Sequence, residues 1–141
     1  MSDSVKSSSG KSSSGKSSTK AENEAGVNLV VLRGTASGPA EIRNLPSGSQ
    51  LATLALRVPG SADQATSAPV AIWEPAKWIG DVEEGDSLVV VGIVRRRFFR
   101  TAVGTTSARV EIEASSISKA GDHRRRTAAL RRVEAALEPL L

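Results

Sequence analysis

Five stretches of the chain carry the hydrophobic patterning of β-strands. Residues 27–34, VNLVVLRG, are a continuous apolar run closed by Gly34, which predicts a strand buried on both sides. Residues 49–58, SQLATLALRV, alternate. Leu54, Leu56 and Val58 fall on one face and Thr53, Ala55 and Arg57 on the other, which predicts a half-buried strand. Pro69 to Trp73, PVAIW, predicts a short third strand. Residues 87–99 open with an apolar run, Leu88 to Val94, and predict a fourth. Residues 107–114, SARVEIEA, alternate with Val110 and Ile112 inward and Arg109, Glu111 and Glu113 outward, which predicts a fifth. Polar segments punctuate these runs: the turn region GPAEIRNLPSG, a loop over 59–68, the EEGD turn at 83–86 and the hairpin loop TAVGTT. Pro75 to Val82 reads as a short helix, with Pro75 at a first-turn position that tolerates it.

Three strands, a short helix and two more strands predict an all-β chain. The arrangement is a five-stranded Greek-key barrel of the OB-fold type, with its helix between the third and fourth strands. That barrel is assigned to residues 27–118. Residues 119–141 change character. Asp122 can cap a helix over 123–138 that Pro139 ends, and Leu130, Val133, Leu137 and Leu140 follow helical spacing. The first turn of this helix, HRRR, is basic and opposes the helix macrodipole. Its apolar stripe suits packing on the barrel or capture of a protein partner or second copy equally well.

Residues 1–26 repeat a Ser-Ser-Ser-Gly-Lys unit and hold too little apolar surface to offset ordering, so this segment is expected to be disordered. Gly10 to Ser17 matches the phosphate-loop pattern letter for letter. Such a loop needs a buried strand before it and a helix after it, and Ser and Lys flank it instead, so no nucleotide site is assigned.

Charge sharpens the picture. The net charge is +4, and the 27–118 segment balances nine basic residues against nine acidic ones. Four of those nine cations, Arg95, Arg96, Arg97 and Arg100, crowd around Phe98 and Phe99. Adjoining cations and rings suit a single-stranded nucleic acid, because guanidinium groups meet phosphates and flat rings stack any base. Alternation places Arg95, Arg97 and Phe99 on one face of the strand, and Arg96, Phe98 and Arg100 on the other. Gly92 sits where the strand is expected to bend out of the barrel. Beyond that bend both faces can meet a ligand; Phe99 is the favoured stacking ring, and burial under the hairpin weighs more for Phe98 than for Phe99. Trp73 ends the third strand, where an OB-fold presents its ligand surface, and is the second stacking candidate. Trp78 is assigned to packing. Arg33, Arg43, Arg57 and Lys77 are further phosphate candidates.

Catalytic chemistry finds little support. The absence of cysteine excludes disulfides, thiolate zinc sites and cysteine nucleophiles. His123, the single histidine, lies in a basic segment with no second ligand nearby. Glu111 and Glu113 share a strand face with Arg109 and read as a solvated outer surface. No nucleophile, base and orienting group come together in the pattern. No cofactor or metal is implied, and no apolar run reaches the roughly 18 residues that span a membrane.

These segments resemble the bacterial single-stranded DNA-binding protein family over about residues 27–115. NLVVLRG is similar to its opening strand. PAEIRNLPSGSQLATLALRV is similar to its first turn and second strand. VAIW and EEGDSLVVVGIVRRRFFR are similar to its third and fourth strands. The resemblance implies an OB-fold, non-catalytic coating of single strands, and assembly into dimers or tetramers. Counted from Gly92, Phe99 falls where the family carries a stacking tryptophan, and Trp73 where it carries an aromatic residue. Two features depart from the family. Arg57 to Ser67 holds no ring, and the chain ends in a basic amphipathic helix instead of an acidic tip, as in a short, divergent member. Expected roles are replication, repair or recombination in the cytoplasm, associated with the nucleoid. RNA binding, or a protein-interaction module docking through the C-terminal helix, remains the alternative.

Overall fold

The computed structural model describes residues 26–60 and 64–141, and these described residues form six strands and one α-helix. The Ser/Lys/Gly-rich segment, apart from Gly26, lies outside the described residues, together with its phosphate-loop-like motif. Ser61, Ala62 and Asp63 lie outside them too. In chain order the elements are β1 (Val30–Ala36), β2 (Glu41–Asn44), β3 (Gln50–Pro59), β4 (Ala65–Trp73), a 3-10 segment (Lys77–Asp81), β5 (Ser87–Arg100), β6 (Thr106–Lys119) and α1 (His123–Leu137). A short 3-10 turn, Glu138–Leu140, follows α1.

The strands run in the order β1-β5-β6-β4-β3, and β1 returns to β3 at Thr35↔Arg57 and Ala36↔Leu56 to close the ring. All pairings are antiparallel except β4 with β6. This closed, mixed, five-stranded barrel is an OB-fold, and β2 is an extra strand held on β3. Leu54, Leu56, Val70, Ile72, Leu88, Val90 and Ile112 fill the barrel. Ile79 and Val82 of the crossing between β4 and β5 plug it, both buried.

Several boundaries differ from the pattern in the sequence. β1 continues through Gly34 to Ala36, because this glycine is where the barrel closes. A Cβ on Gly34 would stand 2.2 Å from the backbone oxygen of Arg57. The residues expected as a helix at 75–82 form a 3-10 turn of five residues, with Val82 N donating to Ile79 O. Val82 returns the backbone to an extended conformation, φ −66 and ψ 133, so the segment ends after one buried residue, Ile79. The polar 41–44 segment pairs with β3 as β2 although all four residues are exposed. A tight Leu45–Ser49 turn, with Gly48 at φ 92, sets its register.

β6 departs furthest from expectation, running on to Lys119 through a bulge. Val91 pairs with Ser116 and Gly92 with Ala114, so Ser115 is the extra residue. Its hydroxyl donates to Val91 O at 3.1 Å, which serves the broken ladder. Across the bulge Gly92 lies so close to β6 that a Cβ would meet the Glu113 backbone oxygen at 2.1 Å. α1 is capped by Asp122, whose Oδ1 accepts from Arg125 N at 3.1 Å. It packs on the barrel through the buried Ala129, near Leu29, Val91 and Val133. Among the described residues no helix is long and apolar enough to cross a membrane.

Gly34→Ala is expected to cost about 1–3 kcal/mol, the usual cost of forcing an atom into a filled contact. Gly38→Ala, with nothing within 4 Å of its added carbon, should stay within about 0.5 kcal/mol of the parent. Urea denaturation of the two variants checks this.

Candidate functional site

Beyond the barrel, β5 and β6 continue as a two-stranded arm. β6 touches β4 in register only at Val70↔Ile112 and Ala71↔Glu113. The pairs from Arg95↔Glu111 to Arg100↔Thr106 extend past that contact. Asn28 fixes the root of the arm: its Nδ2 donates to Val94 O and its Oδ1 accepts from Val94 N, both at 2.8 Å. A side-chain amide thus carries the ladder beyond Val30, where β1 begins.

Alternation splits the arm into two faces. Arg95, Arg97 and Phe99 share one with their partners Glu111, Arg109 and Ser107. Val94, Arg96 and Phe98 share the other with Ile112, Val110 and Ala108. The first face turns toward the outward side of β3 and β4, across a groove of about 670 Å3. Its lining includes four arginines, Arg43, Arg97, Arg100 and Arg109, against two carboxylates, Glu41 and Glu111. Phe99 stands in it 39% exposed, with the Arg109 guanidinium 5.4 Å from its ring centroid. Arg97 lies 6.0 Å from the ring of Trp73, which is 43% exposed.

The backbone after Trp73 explains its placement. Glu74 takes a left-handed conformation, φ 49, which costs a non-glycine residue about 1–2 kcal/mol. Two hydrogen bonds offset that cost: Glu74 N donates to Gln50 O at 2.9 Å, and Glu74 Oε1 accepts from Gln50 N at 2.8 Å. The chain therefore turns sharply at the end of β4 and leaves the indole of Trp73 on the rim.

Two of the arm's arginines are already engaged. Arg95 Nη1 donates to both Glu113 oxygens at 2.9 and 3.0 Å, and Arg97 Nη1 donates to Glu111 Oε2 at 3.3 Å. Glu111 is only 8% exposed, which corrects its reading as part of a solvated outer surface. Arg97 is its ion-pair partner across the arm, and a carboxylate with so little water needs that partner.

The candidate residues divide by position. Arg43, Arg97, Phe99 and Arg100 line the groove, Trp73 adjoins it through Arg97, and Arg95 shares the same arm face. Arg33 pairs with Val89 on the far outward side of β1, away from the groove. Arg96 lies on the opposite arm face, 5.6 Å from the ring of Phe98. Arg57 and Lys77 are exposed but lie outside the groove lining. Phe98 is 64% exposed, not covered by the hairpin as the sequence suggested, because that arm face has no strand or helix over it. Trp78 packs half-buried against the core, with Lys119 Nζ 5.5 Å from its ring. Arg109 is the groove arginine that the sequence reading missed. Folding the hairpin back on itself around its turn sets Arg109 opposite Arg97, and that signal was available. Among the described residues no cluster of three His, Asp or Glu side chains could hold a metal ion.

Comparison with solved structures finds a similar fold in a deletion mutant of the single-stranded DNA binding protein from Thermus aquaticus. The TM-score is 0.54 at 22% sequence identity, over 66% of this chain. The match spans 40% of that chain. No family model matches, and neither does any curated protein.

Arg97→Met is expected to cost about 1–3 kcal/mol by leaving Glu111 buried without its partner. Adding Glu111→Gln should recover most of the loss. Urea denaturation of the single and double variants measures both steps.

Proposed function

We propose that the protein binds single-stranded DNA without sequence preference and takes part in replication, repair or recombination. One observation carries this reading. Two exposed rings, Phe99 and Trp73, stand beside arginines along the outward face of β3 and β4 in an OB-fold. That is the face on which such barrels hold oligonucleotides, and ring exposure of this size loses apolar burial unless a ligand covers it.

Bases stack on Phe99 and Trp73, each worth about 1–3 kcal/mol. Phosphates meet Arg43, Arg100 and Arg109 directly, and Arg95 and Arg97 by exchange for their carboxylate partners. Stacking does not depend on base identity, so the groove accepts any sequence. Assembly into dimers or tetramers, a cytoplasmic, nucleoid-associated location, and the absence of catalysis belong to the same reading.

Oligothymidylate is expected to quench tryptophan emission at low salt, and added salt to restore it. The slope of log K against log salt should be about −0.7 per phosphate engaged. Unchanged emission at low salt and micromolar protein would sink the proposal. Parallel titrations with RNA and duplex DNA rank the three polymers.

Phe99→Ala and Trp73→Ala should each weaken binding about tenfold to a hundredfold. Fluorescence anisotropy of a labelled oligonucleotide follows both, since it does not rely on the tryptophan removed. Arg33→Ala, on the far side of β1, should change affinity far less.

A further inference from the structure

The barrel carries a second groove, of about 320 Å3, between the turn after β4, the bulge of β6 and α1. Trp73, Trp78, Ser115, Ser116, Arg125 and Arg132 line it. Trp73 thus stands between the two grooves, adjoining the first through Arg97 and forming a wall of the second. We propose that this second groove is a continuation of the single-strand path. In it α1 supplies phosphate contacts through Arg125 and Arg132, and Trp78 lies alongside the bases. The inference rests on the single-strand reading of the first groove.

Four observations converge on it. Arg125 and Arg132 are seven residues apart, two helical turns, so they point the same way with about 10 Å between them along the axis. α1 attaches to the barrel through Ala129 and Val133, and Arg125 and Arg132 stay exposed. The helix is fixed at its start by the Asp122 cap and by Arg126 Nη1, which donates to the backbone oxygen of Ala120. Its cations are therefore held in place before a ligand arrives. The bulge turns two consecutive hydroxyl-bearing residues, Ser115 and Ser116, into the same groove, and Lys119 sits over Trp78 at its edge.

Two acids stand in or beside the groove. Glu74 also lines it, with its Oε1 accepting from the Gln50 backbone. Asp122 Oδ2 stands 4.0 Å from Arg125 Nε, at the limit of an ion pair. Among the described residues Arg132 has no carboxylate within that reach. Cations and aromatic rings along one groove, with Ser116 in its lining, suit a polyanion bearing flat bases.

The full chain carrying R125E and R132E together is to be compared with one carrying R124E and R131E. Both pairs change the net charge equally, lie on the same exposed helix and keep the same spacing, but Arg124 and Arg131 do not line the groove. Labelled oligothymidylates from about 4 to about 16 nucleotides cover the lengths that fill one groove or both. The Arg125/Arg132 pair should weaken binding of the longest strand at least tenfold more than the Arg124/Arg131 pair. It should also lower the salt slope by about 1.4, two contacts at about 0.7 each. On the shortest strand the two pairs should behave alike. Equal losses at every length, or no loss at all, would overturn the second groove while leaving the first intact. A parent protein that binds no strand of any length overturns both. Circular dichroism confirms that α1 is retained in both variants.

Discussion

At the crossing of β5 and β6 only a hydrogen atom fits where a side chain would project from Gly92. The backbone oxygen of Glu113 occupies the place of a Cβ. This close approach accompanies the insertion of Ser115, and the insertion changes the parity of β6. Ile117 faces the core on one side of it, and Ala114 and Ile112 face the core on the other. With regular alternation from Ile117, the positions turned inward would be Ser115, Glu113 and Glu111. A barrel cannot bury two carboxylates in its apolar interior without neutralising them. The bulge therefore lets one strand serve two ends of the molecule. One end seats α1 over Val91, and the other sends Glu111 and Glu113 outward to meet Arg97 and Arg95.

Placement of the rings follows from the same geometry. The arm leans over β3 and β4 with Phe99 and Arg109 on its inner face, and the left-handed turn at Glu74 leaves Trp73 on the opposite rim. Cation–π contacts at 5.4 and 6.0 Å hold both rings in position while leaving them partly uncovered. A ligand with alternating charged and planar groups matches this spacing, whereas an apolar peptide would strand four arginines in the groove lining.

Much of the barrel was legible because its strands follow simple periods. The alternation of 49–58 and 107–114 and the apolar runs at 27–34 and 88–94 all reappear as strands in an OB-fold order. What escaped was decided by contacts between distant residues. β2 has no apolar alternation to announce it, and pairing with β3 alone makes it a strand. Gly34 reads locally as a terminator, yet its role is the approach of Arg57. The end of β6 was hidden by a three-residue step between Ala114 and Ile117, which breaks the period of two where the bulge lies. In the site, the alternation along β5 separated the two arm faces as far as Phe99, but it put Arg100 on the face away from the groove that it lines, at the end of the strand. It could not say which face would be covered, so Phe98 and Glu111 were each placed in the other's environment. Cross-strand partnership decides that, and it links residues 14 apart.

The carboxylates of Glu111 and Glu113 act as resident counterions, and this has a bearing on selectivity. At Arg95 and Arg97 a small free anion gains little, because it must displace a tethered oxygen already at bonding distance. A linked series of anions engages several guanidinium groups after a single association, so each further exchange is intramolecular. On departure the tethered oxygens close back at once, without recruiting ions from solution. On the proposed reading, these two ion pairs would favour polyvalent anions over single ones and would close again when the ligand leaves.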